Sequence, residues 1–255
     1  MRSSFEGYAN LSSPIHQWEQ KSKIVALLSL IFAFAFVKEL VLLPAMILVT
    51  ASLYILSRLP LSFLLSRLRY PGLFIVGAIL FLPFAVGNKI IFSIGFLEIR
   101  QEGCLLVGLI TVRFICIFTV SLVLFGTAPF LSTIKAMRSL GLPNILIDMM
   151  LLAYRYLAEL AEMLDKMQLA MKLRGFRFKN LNGRNLNTIA SLIGTLLVRS
   201  YDRSVLVYQA MILRGYGYQK YNFKNNNKIN KISYFASIIT LIIAFSLIVA
   251  EFLIV

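Results

Sequence analysis

Five apolar runs approach the roughly 20 helical residues needed to cross about 30 Å of hydrocarbon. They are Ile24 to Val37, Leu40 to Leu56, Pro71 to Val86, Gly103 to Ala128 and Ile232 to Val255. The first is short, and snorkelling Lys21 and Lys23 at one end, with Lys38 and Glu39 at the other, are expected to extend it. Pro44 interrupts the second. The fourth is the longest and is followed by a different pattern.

From Leu142 apolar residues recur with helical period at Ile145, Leu146, Met149, Leu152, Ala153, Tyr156, Leu157, Leu160, Leu164, Met167 and Met171. Asp148, Arg155, Glu159, Glu162 and Lys166 form a separate polar stripe, with Glu162 and Lys166 a favourable i,i+4 pair. Pro143 suits the first helical turn, Gly175 suits the position past the last, and Arg174 suits the negative end of the helix dipole. The pattern predicts one helix of about 32 residues, roughly 48 Å long. After the polar turn KNLNGRNLN a second stripe runs through Ile189, Leu192, Ile193, Leu196, Leu197, Ser204, Tyr208 and Met211 to Arg214 and Gly215. Its apolar core, Leu186 to Val198, is too short to span a bilayer. Two amphipathic helices on a membrane face are therefore expected, followed by the polar linker YGYQKYNFKNNNKINK.

This divides the chain into a membrane segment, 1–128, a cytoplasmic domain, 129–231, and a last span, 232–255. About a hundred residues between spans is too long for an ordinary connection. The fold class expected is an all-α integral membrane protein. It would have about five transmembrane helices plus a cytoplasmic pair of long amphipathic helices.

Composition agrees: of 255 residues 59% are hydrophobic and 15% charged, well short of a soluble surface complement. The formal charge is +15, and Lys135 to Lys231 holds sixteen basic residues against five acids. Nucleic acid, anionic lipid and an acidic protein partner all suit such charge; its concentration between two spans favours the membrane face and a protein partner over nucleic acid. Arg2, Lys21 and Lys23 precede the first run, and Arg58, Arg67 and Arg69 lie between the second and third. The loop GNKIIFSIGFLEIRQE carries balanced charge. The positive-inside rule then places the N-terminus in the cytoplasm and, with five spans, the C-terminus outside. The polar first 23 residues lack the order of a signal peptide, so the first run is expected to remain in the mature protein. Cys104 and Cys116, about 18 Å apart along one helix, cannot be bridged within it and are expected to pack toward lipid.

One octapeptide is written twice. LAMKLRGF at 169–176 and QAMILRGY at 209–216 share five residues and end on an aromatic, and the same offset aligns Glu162 with Asp202. A glycine C-cap accounts for Arg-Gly at either helix end. It does not account for the repeated Ala170/Ala210 and Met171/Met211. A small residue, an adaptable methionine and a guanidinium at helical spacing describe a docking plug, and two plugs suggest a dimeric partner. Arg113, near the middle of the fourth run, is costly in hydrocarbon by at least about 3 kcal/mol unless paired. Contact with another membrane subunit and bonding to a neighbouring carbonyl both fit it. His16, the single histidine, has no companions for a metal site in SPIHQWEQKSK. There is no GxxxxGK loop, HExxH pair or GxSxG elbow, and Glu251 is the only acid deep in a span. These absences weigh against a lipid-headgroup enzyme and against a self-sufficient permease or channel.

Together these features resemble the transmembrane T component of energy-coupling factor (ECF) transporters, in particular the cobalt- and nickel-type CbiQ branch. SPIHQWEQKSKI is similar to that family's approach to the first span, LFGTAPF to its Thr-x-Pro exit from the fourth, and YRYLAEL to the tyrosine-rich start of its coupling region. The LRG motifs are the most specific match, although the family often has alanine before the arginine. The resemblance implies two coupling motifs, Met171, Leu173, Arg174, Gly175 and Met211, Leu213, Arg214, Gly215, seated in grooves on a pair of ABC-type ATPases. It implies a non-catalytic subunit with no cofactor of its own, ATP being held by the ATPases. The further partner implied is a substrate-binding S component in a bacterial-type plasma membrane, with cobalt, nickel or a vitamin as cargo.

Overall fold

The computed structural model describes residues 13–85, 90–94, 97–176, 182–217 and 231–254. The apolar runs form α1 (Gln20–Phe36), α2 (Leu43–Ser57), α3 (Leu61–Ala85), α4 (Gln101–Gly126) and α8 (Lys231–Ile254), with a 3-10 turn, Leu40–Leu42, ahead of α2. The shorter α5 (Phe130–Ser139) and the long α6 (Asn144–Leu173) and α7 (Gly183–Leu213) lie between α4 and α8. The chain is an all-α integral membrane protein with one local exception. β1 (Ile90–Ile94) and β2 (Leu97–Arg100) pair antiparallel within the segment read from sequence as a plain loop.

Among the described residues, four stretches are long and apolar enough to cross a membrane: Leu40–Ser57, Leu61–Leu82, Leu105–Gly126 and Ser233–Leu253. Pro44 does not break the first of these, because it sits in the opening turn of α2, where its missing N–H is not needed. α3 begins ten residues before the expected Pro71, so Arg67 and Arg69 lie inside a helix rather than in a connection. Their long stems let the charge reach the interface from there.

Two compact units result, one from Gly141–Asn227 and one from Arg2–Leu140 with Lys228–Val255. α5 belongs with the second unit: Thr133, Ile134 and Ala136 are buried, and Gln20 Nε2 donates to Thr133 Oγ1 at 3.1 Å. At the centre of that unit is α1, packed against α8, α4 and α5. Ala26, Leu27, Leu30, Ala33 and Phe34 are fully enclosed, and the small Ala26 and Ala33 let neighbouring backbones approach. α4 carries α2 and α3 in turn, while Leu48, Ile55, Phe74, Phe245 and Phe252 remain exposed as a hydrocarbon-facing surface.

Lys23 does not snorkel. It is 0% exposed, and its ammonium donates to the Ile15 carbonyl at 3.2 Å and to Thr127 Oγ1. The SPIH segment and the Thr-x-Pro exit of α4 are thus joined through one buried lysine. Cys116 likewise faces inward, buried with its Sγ 3.6 Å from Thr50 Oγ1, which corrects the lipid-facing expectation for this cysteine. Removing one acceptor strands a buried charge, whereas removing charge and acceptor together does not. Thr127→Val is accordingly expected to destabilise the detergent-solubilised chain by about 1–3 kcal/mol. Lys23→Met combined with Thr127→Val should recover most of that loss in thermal unfolding, and an additive double mutant would contradict the clamp.

Candidate functional site

Within the Gly141–Asn227 unit, α6 starts after Pro143 and stops at Leu173, within two residues of the bounds set by Pro143 and Gly175. α7 begins at Gly183, inside the segment read as a polar turn; the Asn182 carbonyl accepts the Leu186 N–H at 3.0 Å, and its side chain makes no capping bond. The two helices run antiparallel where they meet. Tyr216 Oη, just past α7, donates to Asp148 Oδ2 near the start of α6 at 3.3 Å, and Arg203 pairs with Glu159 at 3.4 Å. That ion pair is exposed and contributes little to stability.

Both copies of the repeat close their helices in the same way. The Phe176 N–H bonds to the Met171 carbonyl at 3.0 Å and the Gly175 N–H to the Lys172 carbonyl at 3.0 Å. In the second copy the Tyr216 N–H bonds to the Met211 carbonyl at 3.0 Å and the Gly215 N–H to the Ile212 carbonyl at 2.8 Å. This pair of crossed bonds is the Schellman motif, which requires a left-handed residue at the position of the glycine. Gly175 and Gly215 supply it with φ of 83° and 81°.

The cap assigns most of the repeat. Methionine opens the motif, glycine turns it, and the aromatic residue stands where an apolar contact back onto the last turn commonly accompanies it. Leucine and arginine are left over. Leu173 is 81% exposed and Leu213 89%, among the most exposed large apolar side chains in the chain, and Arg174 and Arg214 are exposed beside them. Each tip therefore presents one apolar knob and one guanidinium on a rigid, fully bonded turn. Asp148, beside the α7 tip, lies 26 residues before Arg174, so the two tips stand about 39 Å apart along α6.

The apolar stripes read from the sequence remain uncovered over much of their length: Ile145, Met149, Leu157, Ile193, Leu197 and Tyr208 are exposed. Between α6 and α7 lies a groove of about 1070 Å³ whose lining includes Met149, Met163, Met167 and Met211. Methionine adapts its shape to whatever fills such a groove. Sequence periodicity marked the stripes as apolar, but it did not show that the helices would leave them open.

Arg113 lies in the other unit. Its guanidinium donates to the Val37 carbonyl at the C-terminal end of α1, and Glu251 of α8 acts on it electrostatically. Glu251 Oε1 in turn accepts from the backbone N–H of Lys38 at 2.9 Å. The sequence offered Arg113 either a neighbouring carbonyl or another subunit, and here it caps a helix of its own chain. Glu251 went unassigned in the sequence, since its partner is 213 residues away. Among the described residues no group of three or more His, Cys, Asp or Glu is placed to hold a metal.

The chain matches the family model of CbiQ, described as cobalt transport protein, over residues 11–223. It is 30% identical over 180 residues to the energy-coupling factor transporter transmembrane protein EcfT of Leuconostoc gelidum subsp. gasicomitatum, covering 66% of this chain and 67% of the relative. The protein of the same name from Streptococcus thermophilus is 28% identical over 212 residues, 79% and 80% of the two chains. An uncharacterized protein of Methanocaldococcus jannaschii is 26% identical over 246 residues, 92% of this chain and 84% of its own. The family match spans α1 to α7, and on it the chain belongs to the CbiQ-like transmembrane T components of energy-coupling factor transporters.

Proposed function

We propose that the chain couples two cytoplasmic ABC-type ATPases to a separate membrane substrate-binding subunit, passing on ATP-driven motion without catalysing a reaction. The observation that carries this reading is the pair of identical capped tips, each exposing a leucine and an arginine. A tip held by a Schellman turn transmits displacement instead of fraying, and an arginine suits an acidic groove with bidentate geometry. Two equivalent tips about 39 Å apart fit a partner with two equivalent grooves. ATP is bound and hydrolysed by the partners, and this chain holds no cofactor.

The Met-lined groove between α6 and α7 then receives the substrate-binding subunit. Closure of the ATPases moves the tips, and the uncovered helix faces carry that motion to the subunit packed on them. In this orientation Gly141–Asn227 and the N-terminus are cytoplasmic and the C-terminus is outside, the arrangement that the placement of basic residues favours. The cargo follows from the substrate-binding subunit. Cobalt or nickel is favoured by the description of the matching family, and a vitamin is the competing cargo.

Each charge-assisted contact contributes about 1.5–3 kcal/mol, so Arg174→Ala with Arg214→Ala should weaken ATPase retention on affinity purification by at least about a hundredfold. Uptake by cells should be lost and membrane insertion preserved; unimpaired transport in that double variant would sink the coupling role. A charge placed in the groove acts on the other partner. Met163→Asp with Met167→Asp is expected to release the substrate-binding subunit while the ATPases still co-purify, and loss of both partners in parallel would count against separate docking sites.

A further inference from the structure

Between α2 and α8, beside the start of α1, lies a cavity of about 510 Å³, within the size range of small-molecule sites. Every element that lines it runs from polar to apolar in the same direction. The segment before α1 contributes Ser13, and α1 itself contributes Leu30; α2 ends in Arg58 and supplies Leu53 and Val49 further in. α8 opens with Ser233 and continues to Ile239 and Ile243. The hydroxyls along the walls are spent on their own helices: Ser52 Oγ donates to the Val49 carbonyl at 2.8 Å, and Thr240 Oγ1 to the Ser237 carbonyl at 3.0 Å. The deep part of the cavity is therefore apolar, and the mouth is polar.

Val49 precedes Arg58 by nine residues, so the lining extends about 14 Å along the helix, the depth of a single leaflet of a 30 Å hydrocarbon core. An acyl chain lying along the helices matches that depth and its apolar walls. Charge complementarity selects the headgroup. Among the described residues Arg58 is the only cation lining the cavity, no carboxylate lines it, and the Arg58 guanidinium has no partner. Arg58 also caps α2 in the left-handed region at φ 53°, the only described non-glycine residue with positive φ. Glycine would hold that backbone with less strain, but it would bring no charge to the mouth.

We propose that this cavity holds an acyl chain of an anionic phospholipid whose phosphodiester rests on Arg58. The site rests on the membrane placement of the unit. Lipid binding and ATPase retention are read separately, so failure of one leaves the other standing.

The test is native mass spectrometry of the purified full-length chain in detergent, with added phosphatidylglycerol or phosphatidylcholine. One basic residue at an anionic surface should favour phosphatidylglycerol about fivefold. Arg58→Gln is expected to bring the ratio close to one, Arg58→Lys to keep it, and Arg155→Gln, on exposed α6, to leave it unchanged. Ala236→Trp, which fills the cavity with Arg58 intact, should lower retention of both lipids. Equal retention of the two lipids by the unaltered chain would overturn the proposal. So would a preference surviving Arg58→Gln, an equal loss in Arg155→Gln, or full phosphatidylglycerol retention in Ala236→Trp.

Discussion

The structure turns on a helix that is too short for its surroundings. α1 has 17 residues, about 25 Å of rise against about 30 Å of hydrocarbon, and it is enclosed by other helices. In lipid a backbone group without a partner costs several kcal/mol, so both ends of such a helix must find partners inside the protein. At one end the Glu19 N–H donates to Ser233 Oγ of α8 at 3.1 Å, and Lys23 joins the Ile15 carbonyl to Thr127. At the other, Arg113 takes the Val37 carbonyl and Glu251 takes the Lys38 N–H. These partners come from α4, its exit and α8, the elements that also pack along the sides of α1. The bundle is thus held at both ends of its central helix by charges that would be costly if any were unpaired.

The Gly141–Asn227 unit is built on the opposite plan. Its helices are long and capped, yet among its described residues only Ile147 and Leu192 are buried apolar side chains. A free unit with so much exposed apolar surface would be an aggregation liability; under the proposed coupling function it is the surface offered to other chains. The repeated octapeptide belongs to this plan. Methionine, glycine and the aromatic residue make the turn, which leaves leucine and arginine for contact. Leucine in place of the alanine common in the family enlarges the knob at each tip without altering the turn that carries it.

What the sequence revealed and what it hid divide along the range of the interactions involved. The bounds of α6 were legible because proline at its start and glycine past its end act within one turn. The apolar spans were legible because hydrocarbon thickness fixes their length. α3 was read ten residues short, since Arg67 and Arg69 look like loop charges until their aliphatic stems are considered. Lys23 was read as an interfacial lysine because its acceptor Thr127 is 104 residues away, and Glu251 was passed over for the same reason. Cys116 could not be turned inward from its own run, because apolar residues occupy most of every face of that run. Periodicity marks which face of a helix is apolar; what covers the face is decided by distant residues, or by another chain.

The central claim, that both leucine-arginine tips seat directly on the ATPase pair, is tested most directly by photo-crosslinking in native membranes with a benzophenone amino acid at position 173 or 213. Crosslinks from both positions to an ATPase subunit are the predicted result. Crosslinks to lipid alone, or to the ATPase from only one of the two positions, would contradict it.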